Sequence, residues 1–345
     1  MTKSNPGHFF EDFYVGMSLR HATPLTVTTG DISLYRALTG TRHALYSAAT
    51  FAEANGFEGL PVDPLLAFHA VFGKTVPDIS LNAVANLGYA DGRFPIPVYP
   101  GDTLTAVSDI IGVKENSNGK TGVVYVRTTG FNQRGEEALS YIRWVMVNKR
   151  DAASPAPETV IPDLPDVVDP ASLGFNRPYA DWNPVLAGSP HLFDDYQIGE
   201  KINHVDGMTV EEAEHQIATR LYQNTAKVHF DAHAQKTSRF GTRLIYGGVV
   251  ISIARALSFN GLGNAAELLA INGGTHTGPL FAGDTVYAWS EILDKIELSD
   301  TVGALRLRLV AVKDQDPGAF PLRGEDGKYV PGVCLDFDYW AAIPR

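Results

Sequence analysis

The sequence predicts an α+β fold that is built twice within one chain, and three observations support this prediction. Short motifs recur in the 345-residue chain at a nearly constant offset. In each copy, an apolar segment with helical spacing precedes several segments with the alternation of strands. A proline-rich stretch separates the two copies. A long apolar helix followed by consecutive antiparallel strands is typical of a sheet wrapped around a helix.

The internal repeat appears as several motifs that occur in the same order in both halves. Residues 10–16 (FEDFYVG) resemble residues 193–199 (FDDYQIG), at an offset of 183. Further along, residues 100–104 (PGDTL) resemble residues 282–286 (AGDTV), at an offset of 182. A single-residue deletion in a loop would produce the change in offset from 183 to 182. The repeat therefore predicts two copies of one structural unit.

A proline-rich segment, residues 151–190, lies between the copies. Proline at this density cannot continue a helix or an inner strand, so the segment is expected to be an extended, semi-rigid connector along the surface. The two units then span roughly residues 1–150 and 191–345. The prolines of this segment are Pro155, Pro157, Pro162, Pro165, Pro170, Pro178, Pro184 and Pro190.

The two predicted central helices occupy equivalent places in the copies. In the first copy, residues 64–76 carry apolar side chains at helical spacing. In the second copy, residues 249–257 do the same, directly after the glycine pair Gly247-Gly248. Both segments are apolar enough to lie in the centre of a packed unit.

The predicted strands follow each helix. Asn118-Gly119 is a hairpin signal before the β-branched run at residues 123–126. Residues 305–309 alternate leucine with arginine, as a sheet with one solvated face requires. Residues 141–147 and 333–339 close the two copies with matching strand-like runs.

Composition and charge exclude several classes of protein. The formal net charge of −11 makes the surface repel nucleic acid and anionic membranes, so neither is an expected partner. The single cysteine, Cys334, cannot form an internal disulfide, and no cysteine–histidine cluster suggests a metal. The polar start and the lack of a long apolar stretch predict a cytoplasmic protein without a membrane span.

One group of residues in the second copy indicates an active site. Asn224 and His229 are five positions apart in a polar loop, and Gly247-Gly248 opens the apolar helix that follows. This arrangement resembles the signature of the MaoC-like (R)-specific enoyl-CoA hydratases, in which an Asp and a His precede a His-Gly turn. In this chain Asn224 stands at the Asp position, and Tyr246 replaces the histidine of the turn.

Other segments resemble one branch of that family, the mesaconyl-CoA hydratases, also known as β-methylmalyl-CoA dehydratases. The resemblance covers essentially the whole chain, including the duplication and the proline-rich bridge. It implies a double hot-dog fold and reversible hydration of mesaconyl-CoA to β-methylmalyl-CoA, without metal or redox cofactor. It also implies an acyl-CoA substrate and further pairing into a homo-oligomer. The segments that carry it are residues 21–24 (HATP), 72–82 (FGKTVPDISLN), 143–147 (RWVMV) and 335–339 (LDFDY).

The resemblance assigns roles that the chemistry of hydration requires. His229 is expected to take a proton from water and return one to the α-carbon, as an imidazole can. Asn224 is expected to hold the water, although Asp231 or Glu214 remain alternative carboxylates for that step. The N–H groups of Gly247 and Gly248 are expected to stabilise the enolate oxygen, with glycine allowing close approach of the thioester.

The first copy is expected to be non-catalytic and to shape the acyl-CoA cavity. At the offset of 183, Tyr46 stands opposite His229, and Pro64 stands opposite Gly247. Neither the base nor the glycine turn is therefore present in that copy. The sequence predicts one active site per chain, in the second copy.

The free carboxylate of mesaconyl-CoA requires a cation or several donors in the pocket. Candidates for this role and for the acyl pocket are Lys227, Arg239, Tyr246 and His276, with Arg42 and His43 from the opposing copy. Lys236, Arg243 and Lys74 are candidates for the CoA phosphates.

Three different activities remain open from the sequence. A hydratase of aliphatic enoyl-CoA would need no cation near the acyl end of the pocket. A hot-dog thioesterase would need a carboxylate or water aimed at C1. A non-catalytic acyl-CoA-binding protein is suggested by the Asn at the Asp position.

Overall fold

The computed structural model describes residues 3–345, and its ten strands form one continuous antiparallel sheet. The strand order is β1-β3-β4-β5-β2-β7-β10-β9-β8-β6, so the second half repeats the order of the first in reverse. The halves join where β2 pairs with β7, with Tyr89 opposite Gly274. The strands are β1 Ser18–Thr26, β2 Ala83–Arg93, β3 Thr103–Glu115, β4 Thr121–Phe131, β5 Glu137–Asn148, β6 Lys201–Thr209, β7 Glu267–His276, β8 Thr285–Glu297, β9 Val302–Lys313 and β10 Val333–Pro344.

Nine α-helices accompany the sheet in the described part of the chain, and two of them are central. Helix α3 (Pro64–Thr75) packs on β1, β3 and β4, and α8 (Gly247–Leu257) packs on β6, β8, β9 and β10. Nearly every residue of both helices is buried, as their apolar sequences predict. The other helices are α1 Thr29–Thr39, α2 Ala49–Ala54, α4 Pro184–Ala187, α5 Glu212–Leu221, α6 Lys227–Phe230, α7 Ala232–Gln235 and α9 Phe259–Leu262.

The duplication extends to individual polar contacts inside the sheet. His21 on β1 contacts the Ser108 hydroxyl on β3 through Nε2 at 2.8 Å. His204 on β6 contacts the Ser290 hydroxyl on β8 through Nε2 at the same distance. The two halves therefore satisfy an equivalent buried histidine in the same way. The duplicated α+β architecture predicted from the sequence is confirmed.

The proline-rich segment differs from the prediction. Val168, Tyr179 and Ala187 are each no more than 4% exposed, so this part belongs to the core. The Tyr179 hydroxyl donates to the Glu267 carboxylate at 2.7 Å, and Arg177 forms an ion pair with the same group. The expectation of a connector lying along the surface is wrong for these residues. Apolar side chains interspersed among the prolines bury themselves against β7 and the first unit.

Candidate active site

The loop after α5 places Asn224 by backbone and side-chain hydrogen bonds. The Asn224 N–H donates to the Thr219 carbonyl at 2.9 Å, which closes the end of α5. Its side-chain Oδ1 accepts from the Ala226 N–H at 3.1 Å, immediately before α6 begins. Gln223 adopts a positive φ of 55° in this turn. Asn224 is 1% exposed, and its side-chain oxygen supports the short helix that carries His229.

The His229 imidazole is fixed by a backbone carbonyl. Its Nδ1 lies 2.9 Å from the Leu244 oxygen. Because a carbonyl can only accept, Nδ1 carries the proton and Nε2 keeps its lone pair. Burial disfavours the imidazolium and lowers the pKa of His229 to about 4, although the bond to Leu244 opposes that shift. The imidazole is therefore neutral near pH 7 and can accept a proton at Nε2.

Two amide donors lie at the start of α8. Among residues 3–345, the N–H groups of Gly247 and Gly248 have no hydrogen-bond acceptor, as expected for the first turn of a helix. The Tyr246 N–H just before them donates to His215 Nε2 at 2.9 Å. The helix dipole adds partial positive charge here. This end of α8 can stabilise an oxyanion.

Aromatic and imidazole rings pack directly on these glycines. A Cβ atom at Gly247 would collide with the His276 ring, and one at Gly248 would collide with Tyr246 and His69. The Tyr246 ring centroid also lies 5.5 Å from that of His229. Glycine is thus required so that rings can approach the helix backbone. The predicted site residues His229, Tyr246, Gly247, Gly248 and His276 are brought together.

The N-terminal half holds the loop that carries Asn224 and His229 from the other side. A Cβ atom at Gly73 of α3 would collide with the Tyr222 carbonyl. Lys74 donates to the Thr23 carbonyl and to Gln223 Oε1, the latter at 3.4 Å. Since Lys74 is 2% exposed, the suggestion that it contacts the CoA phosphates outside the pocket is wrong. Its position next to the loop makes it a support for the segment that carries Asn224.

The candidate cations of the second copy lie on the loop that carries His229. Lys227, Lys236 and Arg239 are exposed. Arg243 is half-buried, forms an ion pair with Glu212 and also contacts Gln216. Exposed cations on this loop suit the outer phosphates of an acyl-CoA better than a buried carboxylate.

Arg42 and His43 lie elsewhere. The Arg42 side chain is exposed, stacks over Phe259 at 4.7 Å and faces Asp206 at 3.7 Å. His43 is 1% exposed, and its Nε2 lies 2.6 Å from Arg255 Nη1. Both contacts belong to the far end of α8, away from its glycine start. The structure therefore does not bring them together with His229.

The equivalent site in the first half is closed. Pro64 is the first residue of α3 and has no N–H to donate. The Asp63 side chain accepts from the Leu65 N–H at 2.9 Å and so occupies a second donor. Tyr46 is buried, with a hydroxyl that has no partner among the described residues. This half has neither a base nor an oxyanion site at the corresponding position.

Sequence reasoning gave no role to three residues that surround the site. His69 contacts the Ser252 hydroxyl at 2.8 Å. His215 accepts from the Tyr246 N–H. Arg143 lies fully buried on β5. An arginine inside an otherwise apolar strand run was the one signal available for this last residue.

Two kinds of feature are absent from residues 3–345. No group of three or more His, Cys, Asp or Glu side chains in that range is arranged to hold a metal ion. No helix within the same range has the length and apolar character needed to cross a bilayer.

Comparison with known proteins identifies the family. The family model described as mesaconyl-CoA hydratase matches residues 1–161, and the MaoC-like domain model matches residues 195–312. The chain is 59% identical to a β-methylmalyl-CoA dehydratase of Chloroflexus aurantiacus, over 99% of each chain. The chain belongs to the mesaconyl-CoA hydratase family. It is also 60% identical to a mesaconyl-CoA hydratase of Cereibacter sphaeroides, over 99% of this chain and all of the relative.

Solved structures of similar proteins agree with this family assignment. A putative MaoC-domain dehydratase from Chloroflexus aurantiacus superposes with a TM-score of 0.95 at 57% identity, covering all of this chain and 99% of the other. A Mycobacterium tuberculosis protein described as a double hot-dog fold superposes with a TM-score of 0.78 at 25% identity, covering 99% of both chains. The double hot-dog fold expected for this mesaconyl-CoA hydratase family member is therefore confirmed.

Proposed function

We propose that the chain catalyses reversible addition of water to mesaconyl-CoA (2-methylfumaryl-CoA) to form β-methylmalyl-CoA. The proposal rests on the presence of two groups in one site. One is the neutral His229 imidazole with a free Nε2 lone pair, and the other is the set of amide donors at the start of α8 that have no acceptor in the described chain. Hydration of a conjugated thioester needs a base and an oxyanion site of this kind. The named activities of the two curated relatives supply the substrate.

The reaction proceeds by two proton transfers around an enolate. His229 Nε2 accepts a proton from water while the water oxygen bonds to the β-carbon. The C=C electron pair becomes a double bond between the α-carbon and the thioester carbon, and the C=O pair moves to the oxygen, where the Gly247 and Gly248 N–H groups stabilise the charge. The protonated His229 then returns a proton to the α-carbon. The thioester is the electron sink, so we propose that no metal or redox cofactor takes part.

Asn224 orients the water in this proposal. Its Oδ1 accepts from the Ala226 N–H, so the Nδ2 group is the part of the amide left for the water. An amide cannot take the proton, so His229 performs both transfers. We also propose that residues 1–150 and 191–345 act as a shaping unit and a catalytic unit. Lys227, Lys236 and Arg239 would meet the CoA phosphates at the entrance.

The first experiment compares wild-type protein with His229→Ala, using mesaconyl-CoA and crotonyl-CoA separately. We expect loss of enoyl absorbance with mesaconyl-CoA and at least about a 100-fold lower rate in the variant, since general acid–base groups contribute about 100- to 10,000-fold. Unchanged turnover in His229→Ala would refute the assignment of the base. Equal or faster turnover of crotonyl-CoA would indicate a general enoyl-CoA hydratase.

Two further outcomes would indicate a protein that is not a hydratase. Binding of both thioesters without any absorbance change would indicate an acyl-CoA-binding protein. Release of free CoA from a saturated acyl-CoA, detected with a thiol reagent, would indicate a thioesterase. Thermal unfolding of His229→Ala should resemble that of wild type, which controls for misfolding.

A further inference from the structure

A buried arginine near the active site lacks an anionic partner. Arg143 lies on β5 and is fully buried. Its Nη2 donates to the Thr75 and Ser80 hydroxyls, at 2.9 and 2.8 Å. Its Nε and Nη1 have no partner among the described residues, and Nε carries one N–H and Nη1 two. A buried cation without a counter-charge is costly, so its presence calls for an explanation.

Two aromatic rings connect the guanidinium to the proposed base. Arg143 Cζ is 4.2 Å from the centroid of Phe72. The Phe72 ring lies 5.5 Å from the Tyr246 ring, which in turn lies 5.5 Å from the His229 ring. The Tyr246 hydroxyl is buried and has no partner in residues 3–345. Arg143 and Tyr246 thus both pack on Phe72, and both have polar groups without a partner in the described chain.

A second connection runs along the sheet. Tyr89 on β2 is paired directly opposite Arg143 on β5, so both side chains leave the sheet on the same face. The Tyr89 hydroxyl lies 3.4 Å from Nε2 of His276, the ring that covers Gly247. Arg143 is therefore connected to the His276 ring through Tyr89, and to the His229 ring through Phe72 and Tyr246.

The second half supplies an internal comparison. There the arginine is on the helix and the ring on the strand, with Arg255 of α8 at 5.5 Å from the Tyr339 ring of β10. In the first half the arginine, Arg143, is on the strand and the ring, Phe72, is on the helix. Arg255 Nη1 contacts His43 and the Ser258 hydroxyl, and its Nη2 donates to the Ala265 and Ala266 carbonyls. Both Nη groups of this second buried arginine thus have protein partners. Of the two, only Arg143 has fully buried nitrogens without a partner in the described chain.

We infer that Arg143 binds the free carboxylate of the substrate, with the Tyr246 hydroxyl as a second donor, and so determines specificity for 2-methylfumaryl-CoA. This inference rests on the proposed function. In that substrate the carboxylate is attached to the β-carbon, which receives the water. An anchor for the carboxylate must therefore lie at the site, and Arg143 packs on Phe72, whose ring packs on Tyr246 beside His229. A guanidinium with unpaired N–H groups matches a carboxylate in charge and geometry.

The test compares two thioesters that differ only at that group. In (E)-2-methylcrotonyl-CoA a methyl group replaces the carboxylate of 2-methylfumaryl-CoA. We expect Arg143→Gln to lower kcat/KM for 2-methylfumaryl-CoA by about 100-fold or more, because removing one partner of a buried charge pair has effects of this size. The value for (E)-2-methylcrotonyl-CoA should change by less than about threefold. Arg143→Lys, which keeps the charge, should retain part of the preference.

Inhibition by saturated analogues provides a readout that does not need turnover. Wild type should bind 2-methylsuccinyl-CoA more tightly than 2-methylbutanoyl-CoA, and Arg143→Gln should abolish that difference. Arg255→Gln is the matched control, expected to reduce thermal stability without changing the ratio between the two thioesters. An equal effect of Arg143→Gln on both thioesters, or no effect on either, would overturn the inference. Failure of wild type to hydrate 2-methylfumaryl-CoA would instead refute the proposed function.

Discussion

At the scale of single residues, the site depends on which nitrogen of His229 holds the proton. The contact with the Leu244 carbonyl assigns the proton to Nδ1, so Nε2 is the atom that we propose as the base. Burial lowers the pKa of His229 to about 4, and therefore the base is neutral over the whole physiological range. A base with the ordinary histidine pKa near 6.5 would instead be partly protonated at about pH 6.

The pH dependence of catalysis follows from this pKa. We expect kcat/KM for mesaconyl-CoA to stay level from about pH 8 to about pH 5.5, without an acid limb near 6.5. Initial rates in buffers of constant ionic strength would check this. Protein returned from each pH to neutral pH and assayed there controls for unfolding. A clear fall in kcat/KM with a midpoint near the ordinary histidine pKa would contradict the assignment.

At the scale of elements, the two central helices differ mainly at their first residues. Helix α8 begins with two glycines whose N–H groups have no acceptor in the described chain, whereas α3 begins with Pro64 behind the capping Asp63. Both helices have the same place in the fold. The first turn alone therefore decides which half can stabilise an oxyanion.

Tyr46 provides a test of this asymmetry, because it occupies the position equivalent to His229. We expect Tyr46→Phe to leave kcat and KM for mesaconyl-CoA unchanged. The free energy of unfolding should be unchanged or higher by up to about 1–3 kcal/mol, since the variant removes a buried hydroxyl without a partner in the described chain. Steady-state rates and denaturant unfolding would measure both. Loss of turnover in this variant would show that the first half takes part in catalysis.

At the scale of the whole molecule, the two halves depend on each other. The β2–β7 pairing makes one sheet of ten strands, and Lys74 from the first half holds Gln223 in the second. The segment between the halves fills a core around Tyr46 with Val168 and Tyr179. The loop that carries Asn224 and His229 is consequently positioned by contacts that neither half contains alone.

Buried histidines make the stability of the whole chain sensitive to acid. Burial lowers the pKa of His69 and His215 to about 3 and that of His204, His229 and His276 to about 4. Between about pH 6.5 and about pH 4, the unfolded chain, with histidine pKa values near 6.5, binds more protons than the folded chain. These histidines therefore leave the free energy of unfolding undiminished above about pH 6.5 and reduce it as the pH falls toward about 4.

Thermal unfolding measured at intervals from about pH 7.5 to about pH 4.5 would check this expectation. We expect Tm to fall steadily below about pH 6.5. Asp63 acts in the opposite direction, because burial raises the pKa of its carboxyl to about 6, but it is one group against five. A Tm that is constant or rises as the pH falls through this range would show that these histidines are not buried in the neutral form.

The sequence alone determined the features that depend on local pattern. The offset between residues 10–16 and 193–199 established the duplication, and the helical spacing at residues 249–257 located α8. The family was identified from the spacing of Asn224, His229 and Gly247, and the comparisons confirm it. These signals lie within short stretches of chain, so periodicity and spacing contain them.

Only the tertiary structure decided which residues distant in sequence contact the loop that carries Asn224 and His229. Arg143 has no counter-charge because of what surrounds it on β2 and α3, and its place in the sequence does not reveal that. Lys74 and His43 are polar in sequence but buried by packing that spans both halves. Burial and partnership depend on contacts between residues far apart in the chain, which local pattern does not encode.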